Sequence, residues 1–312
     1  MRLFLRNILL FFGLLLLIYP ILVAFTGYFI PQLFKPNISY KIGAYGHLHS
    51  RIKEVKNSVK NVDVLFVGSS HAYRGFDTRN FKNIKSFNLG SSAQTPVNTQ
   101  VLLKRYLDRI NPKVVIYEVY PGTFVGDGVE SSLDIISNDK NDIYSFDMAL
   151  ELNNIKTYST LIYGAFCDCF GLNTSFKESK IINEDTYISG GYVERKLKFY
   201  KSDRIISMNK WSFNKKQLST FKEIIDMMKE RGIKLILVFA PVTDKLYNSY
   251  INNSYVDSLM ESYQLDYYNF NELITLNDSI DFYDDHHLNQ NSVNKFNVKL
   301  TEMLFKNNNL TK

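Results

Sequence analysis

Five short apolar runs, each released at a turn and separated from the next by helical periodicity, constrain this chain more than any other feature. They are Val62 to Val67, Lys85 to Leu89, Lys113 to Val119, Ile233 to Phe239 and Leu265 to Asn269. The central runs lack the polar alternation of a half-exposed strand, so they read as strands buried on both faces. Between them, apolar residues recur at helical spacing. Val101, Leu102, Tyr106, Leu107 and Ile110 define one helix, ended by Asn111-Pro112, and Leu218, Phe221, Ile224, Ile225 and Met228 define another. Further helices are expected around Ser254–Tyr263 and Asn291–Phe305. Strands alternating with helices predict right-handed crossovers and a mainly parallel sheet covered on both sides. Chemistry in such a sheet belongs at the carboxyl ends of the strands.

The N-terminus obeys a different rule. From about Asn7 to Ile30 there is no charged residue, and the run LLFFGLLLLIYPILVAFTGYFI can cross a hydrocarbon core of about 30 Å. It is longer than the apolar part of a signal peptide, and no A-x-A-like site follows it. Arg2 and Arg6 precede the run, which favours a cytoplasmic start and an extracytoplasmic remainder. The expected organisation is a stub and anchor at 1–30, a connector at 31–60 and an α/β domain at 61–312. Within that domain, 122–210 is rich in Asn, Ser, Asp, Lys and Tyr, and is expected to be an insertion packed over it.

Charge and cysteine content exclude more than they assign. The 37 Lys and Arg against 31 acidic residues leave a net charge of +6, with no basic stripe that would suit nucleic acid. Cys167 and Cys169 are separated by a single residue, too close for an unstrained bridge, and are read as residues of a loop. His47 and His49 are read as part of a polar connector.

Two segments carry candidate chemistry. Gly68-Ser69-Ser70-His71 follows the first strand, where a turn into a helix presents a serine hydroxyl and its N–H at the sheet edge. A small-residue turn or phosphate nest is the plainer alternative. Asp284-Asp285-His286-His287 precedes the last helix. An Asp three residues before a His can orient the imidazole as a general base; surface polarity or a metal site are the alternatives.

Together the segments resemble the SGNH, or GDSL-like, hydrolase superfamily. Gly68-Ser69-Ser70 matches its first block, Asn88-Leu89-Gly90 its second, and Asp284 to His287 its closing D-x-x-H block. The resemblance implies a three-layer, flavodoxin-like α/β fold of about five parallel strands behind one transmembrane helix. It also implies Ser70, Asp284 and His287 as the triad, with the N–H groups of Ser70 and Gly90 as the oxyanion hole and no metal or organic cofactor. Ser69, His71, Asn98 and His286 are candidate pocket residues; Ser69 is the alternative nucleophile and His286 the alternative base.

The family's third block supplies an Asn after the third strand, where this chain reads Tyr117-Glu118-Val119-Tyr120-Pro121-Gly122. Together with the single span, that departure resembles membrane-anchored envelope proteins of the D-alanyl-transfer and alginate O-acetyltransferase kind. This subset implies acyl transfer or ester hydrolysis on a cell-envelope glycan beside a multispan acyl-exporting partner. A catalytically inert scaffold subunit of such a complex is the rival reading.

Overall fold

The computed structural model describes residues 1–33, 41–43, 46–201 and 206–306. Helix α1 (Arg2–Phe29) is long and apolar enough to cross a membrane. Only Val23 and Gly27 are buried along it, and Pro20 lies within it. Parts of the expected connector, residues 34–40 and 44–45, lie outside the described residues, as do 307–312 at the end of the expected domain.

The remainder of that connector differs from the expectation. Helix α2 (Leu48–Asn57) buries Leu48, Ile52 and Val55 in the main core, so the α/β unit begins before residue 61. His47 and His49 are correspondingly no part of a polar connector: His47 is buried ahead of α2, and the His49 ring meets Phe176 edge-on. The sequence concealed this helix because its apolar stripe is interrupted by Arg51. That side chain is fully buried, and its guanidinium donates to the carbonyls of Gly191 (2.8 Å), Gly90 (2.7 Å) and Gly46 (2.5 Å).

The chain then alternates. Strand β1 (Val64–Val67) leads to α3 (Ser70–Gly75), β2 (Ser86–Asn88) to α4 (Pro96–Ile110), and β3 (Val114–Glu118) to α5 (Pro121–Val125). Three further helices follow: α6 (Val129–Asn138), α7 (Ile143–Leu152) and α8 (Ile155–Phe170). A small antiparallel sheet comes next, of β4 (Ile181–Ile182), β5 (Asp185–Ile188) and β6 (Tyr192–Arg195). The alternation resumes with α9 (Lys215–Glu230), β7 (Lys234–Phe239), α10 (Asp244–Tyr247), α11 (Asn253–Glu261) and β8 (Asp266–Asn269). It closes with α12 (Phe270–Leu273), α13 (Asp278–Asp281) and α14 (Gln290–Lys306).

The five long-range strands pair in parallel in the order β2-β1-β3-β7-β8. Renumbered within the sheet this is 2-1-3-4-5, the flavodoxin-like doubly wound arrangement. Alternate residues of each central strand feed two cores. Leu65, Val67, Val115, Tyr117, Leu235 and Leu237 pack under α2, α4 and α9. Val64, Phe66, Val114, Ile116, Ile236 and Val238 face α3 and α14. A period of two under two helical layers gives three layers, and burial of β1 and β3 on both faces explains their unbroken apolar character. The edge strand β8, at Asp266 to Tyr268, stays partly exposed.

Cys167 and Cys169 sit on α8, not in a loop, the first buried and the second exposed. Two residues apart on a helix, their side chains diverge, so no bridge between them is possible there. Helix α8 also lies along α1: the Tyr19 hydroxyl meets Ser159 Oγ at 2.6 Å, and Tyr163 packs against Gly27.

Candidate active site

The register of β1 against β3 builds the first half of the site. Val67 lies opposite Tyr117, which brings Gly68 beside Glu118 one residue further on. Gly68 has φ +137°, and a Cβ there would sit 2.7 Å from Glu118 Cβ, so only glycine fits this turn. Ser69 then caps α3, accepting from the His71 N–H at 3.2 Å, and Ser70 opens the helix with its side chain at the sheet's carboxyl edge.

The second half comes from the turn between α13 and α14. Phe282 and Leu288 bridge its base in antiparallel fashion, and the Tyr283 N–H donates to the His287 carbonyl at 3.1 Å. Within the turn, Asp284 Oδ1 accepts from the N–H groups of His286 and His287, both at 2.8 Å. The same carboxylate faces His287 Nδ1 at 2.9 and 3.0 Å.

The two halves meet: His287 Nε2 lies 2.8 Å from Ser70 Oγ. The imidazole is sandwiched, with Tyr283 stacked on one face at 5.4 Å and His71 on the other at 5.0 Å between ring centroids. Burial acts to raise the Asp284 carboxyl, yet hydrogen bonds from the His287 ring and from the two backbone N–H groups outweigh it. The carboxyl is held well below the usual carboxylate range and is ionised at neutral pH. An ionised Asp284 keeps the proton on His287 Nδ1 and leaves Nε2 able to accept from Ser70.

The neighbouring candidates have other partners. Asp285 receives the Tyr200 hydroxyl on its carboxylate, and its carbonyl accepts the Thr243 N–H at 3.1 Å. The His286 ring lies against Tyr120 and His71, and burial followed by the proximity of His287 lowers its basicity. Ser69 is buried, and its Oγ donates to Glu118 Oε2 at 2.7 Å and lies 3.1 Å from His71 Nδ1.

Two expected positions behave differently. Asn98 does not reach the site; its Oδ1 accepts from the Thr95 N–H and hydroxyl, forming the N-terminal cap of α4. Its Nδ2 donates to the Gly128 carbonyl at 3.2 Å. The N–H of Gly90 donates to Asn88 Oδ1 at 3.1 Å, which directs it to the end of β2 and not to the cavity.

Sequence reasoning passed over Glu118 as anything but an absent Asn. It is fully buried, and its carboxylate accepts from the Ser69 N–H (3.0 Å), the Ser69 hydroxyl (2.7 Å) and the Tyr120 N–H (2.6 Å). Burial pushes this carboxyl up to about 7 against the pull of those bonds. The available signal was a lone acid at the end of an otherwise apolar strand.

Ser69, Ser70, His71, His286 and His287 line a cavity of about 440 Å³ together with Ser92, Thr95, Thr123, Asp127 and Glu130. That volume falls within the range of small-molecule sites. Among the described residues no group of three or more His, Cys, Asp or Glu side chains is arranged to hold a metal ion.

Fold and site define a doubly wound α/β protein with a Ser-His-Asp hydrogen-bonded array at the carboxyl edge of its sheet. No family model matches the chain, and no curated protein matches its sequence. Among solved structures it is similar to a Bacteroides fragilis protein described as an acylhydrolase, at 9% identity and TM-score 0.43, covering 84% of this chain and 97% of that one. It is also similar to a GDSL-like lipase from Bacteroides thetaiotaomicron, at 8% identity and TM-score 0.41, covering 83% and 98%.

Proposed function

We propose that this chain is a membrane-anchored serine acyltransferase or esterase of the SGNH type, acting through an acyl-enzyme on Ser70. The observation that carries the reading is the 2.8 Å approach of Ser70 Oγ to His287 Nε2, with Asp284 on the opposite ring nitrogen. In the first step Ser70 Oγ bonds to the acyl carbon of an ester while His287 Nε2 takes the hydroxyl proton. The ester C–O bond then breaks, and the departing oxygen takes that proton from His287. An incoming hydroxyl reverses the sequence: it gives its proton to His287, bonds to the acyl carbon and releases Ser70, which recovers the proton.

The Ser70 N–H is the first donor for the tetrahedral oxyanion. Gly90 contributes only if its N–H leaves Asn88 Oδ1. Loss of one such donor costs about 3–4 kcal/mol elsewhere, so the engagement of the Gly90 N–H by Asn88 supports the rival reading of an inert subunit. We take α1 as the anchor, with the α/β domain extracytoplasmic, and a hydroxyl of a cell-envelope glycan as acceptor of an O-acetyl or similar group. A multispan acyl-exporting protein is the proposed membrane partner.

Fluorophosphonate labelling of the full chain in detergent tests the nucleophile. Labelling that Ser70→Ala abolishes is expected; absent labelling, or labelling equal in the variant, favours the inert subunit. An acyl donor offered with and without oligosaccharide separates transferase from esterase.

A further inference from the structure

A second hydrogen-bonded relay runs beside the first. Ser69 Oγ sits between Glu118 Oε2 at 2.7 Å and His71 Nδ1 at 3.1 Å. Both Glu118 oxygens also accept backbone N–H groups, an arrangement that suits the carboxylate. A serine hydroxyl has one proton. If it goes to Glu118, the bond from His71 must run from Nδ1–H to Ser69, and the lone pair of the neutral ring is left on Nε2. That Nε2 is buried and has no hydrogen-bond partner, while His71 itself lines the cavity. Burial, then the proximity of His287 and His286, keeps the His71 ring neutral against the opposite pull of Asp284 and of the His286 backbone.

An unpartnered buried acceptor carries a desolvation penalty unless a ligand supplies a donor. Its neighbours narrow the ligand. The His71 ring packs against His287 and Tyr120, with centroids at 5.0 and 4.4 Å, which favours its present orientation beside the nucleophile. The groups facing it are Ser69, Asp284, the ring and backbone of His286, His287 and Tyr120. Asp127, Glu130, Thr95 and Thr123 also line the cavity. A pocket walled by acceptors and carboxylates disfavours an anionic ligand and suits a neutral molecule carrying several hydroxyls.

We propose that Glu118 and Ser69 fix the tautomer of His71, and that His71 Nε2 accepts a hydrogen bond from a hydroxyl of a neutral polyol or sugar, positioning the adjacent hydroxyl to receive the acyl group from Ser70. Glu118 and Ser69 are positioning residues; His71 touches the acceptor. The inference rests on the acyl-enzyme reading above. It requires no covalent step beyond those already balanced, since His287 still moves the proton.

The experiment uses the full chain in detergent micelles, p-nitrophenyl acetate as donor and maltotriose as acceptor, and follows the ratio of acetylated sugar to acetate. Both products derive from one acyl-enzyme, so a change in acylation rate cancels. The expected result is a fall of about tenfold in that ratio for His71→Phe, which keeps the ring stack but removes the acceptor. An unchanged ratio in His71→Phe overturns the proposal, as does a sugar bearing carboxylates that serves as well as maltotriose. A separate readout addresses the relay: long-range ¹H–¹⁵N correlation of histidine-labelled protein at pH 8 should give the Nδ1–H tautomer for His71 and lose that preference in Ser69→Ala. An Nε2–H tautomer, or no change in Ser69→Ala, overturns the relay. Failure of fluorophosphonate to label Ser70 in the unsubstituted protein overturns the acyl-enzyme reading instead, and the tautomer measurement still decides the relay.

Discussion

Replacing Asp284 with Asn isolates the orienting carboxylate with little change of shape. The new carboxamide retains one oxygen for the N–H groups of His286 and His287, which Asp284 Oδ1 holds at 2.8 Å each. Its NH₂ group then takes the Oδ2 position 3.0 Å from His287 Nδ1, beside the retained oxygen at 2.9 Å. A donor there disfavours a proton on Nδ1 and shifts it to Nε2, the nitrogen 2.8 Å from Ser70 Oγ, so the serine loses its proton acceptor. The corresponding change in a Ser-His-Asp triad lowers turnover about 10⁴-fold, equivalent to about 5 kcal/mol of transition-state stabilisation. The assay is the second-order rate of fluorophosphonate labelling together with p-nitrophenyl acetate turnover at pH 8. Asp285→Asn provides the contrast, because Asp285 is engaged by Tyr200 and Thr243, and should stay within a few-fold of the unsubstituted protein. Labelling of Asp284→Asn within tenfold of the unsubstituted rate, with Ser70→Ala inactive, would refute the assignment of Asp284 as orienter.

Gly68→Ala places a Cβ at φ +137° and against Glu118, and should lower stability by about 2–4 kcal/mol in denaturant titrations. Gly232→Ala, at φ +65° with nothing within 4 Å, should cost only about 1 kcal/mol. The Glu118 carboxyl is raised by burial to about 7 from an ordinary 4.5. A raised folded-state value means that its contribution is fully present below about pH 4.5 and is lost as pH rises through 7; the folded state binds the proton that the unfolded state has released. Relative to Glu118→Gln, the unsubstituted protein should therefore lose about 3 kcal/mol of stability between pH 4.5 and 8, measured by urea denaturation across that range. Gly27→Leu drives a side chain into the Tyr163 ring, which a Cβ alone would meet at 2.6 Å. It should reduce disulfide trapping between cysteines placed at Tyr19 and Ser159 several-fold, whereas Gly13→Leu, with nothing within 4 Å, should not.

The parts of this molecule legible from sequence are those in which local pattern and tertiary role coincide. Strands β1, β3 and β7 are buried on both faces, so their apolar runs announce them; the turn at Ser70 and the Asp284–His287 segment are likewise compact in sequence. What escaped depends on partners far along the chain. Arg51 interrupts the stripe of α2 because it bonds carbonyls at Gly90 and Gly191, 39 and 140 residues away. Glu118 acquires its role from Ser69, 49 residues earlier. The sheet β4-β5-β6 was missed because its strands are two to four residues long and half-exposed, too short for a period of two to register. Asn98 shows the converse limit: a polar residue near a candidate site is as readily consumed by a helix cap, here with Thr95, as by chemistry.

The two halves of the site are held above one core by different local contacts, and this bears on how it can be tuned. Strand pairing fixes the serine half, since the register Val67 to Tyr117 sets Gly68 against Glu118 whatever the surrounding loops do. Side-chain braces fix the histidine half. Asp281 accepts from the Asn277 N–H at 2.8 Å, from Ser292 Oγ at 2.5 Å and from Lys295 Nζ at 2.6 Å. Asn289 Nδ2 donates to the Ile280 carbonyl at 2.6 Å, tying the start of α14 back to α13. The two sets share the core beneath them, where Phe282, Leu288 and Phe296 pack with Phe66 and Phe76, and the Ser70–His287 bond closes the site above that core. Substitutions in the braces then move the base relative to the nucleophile without altering the turn at Gly68.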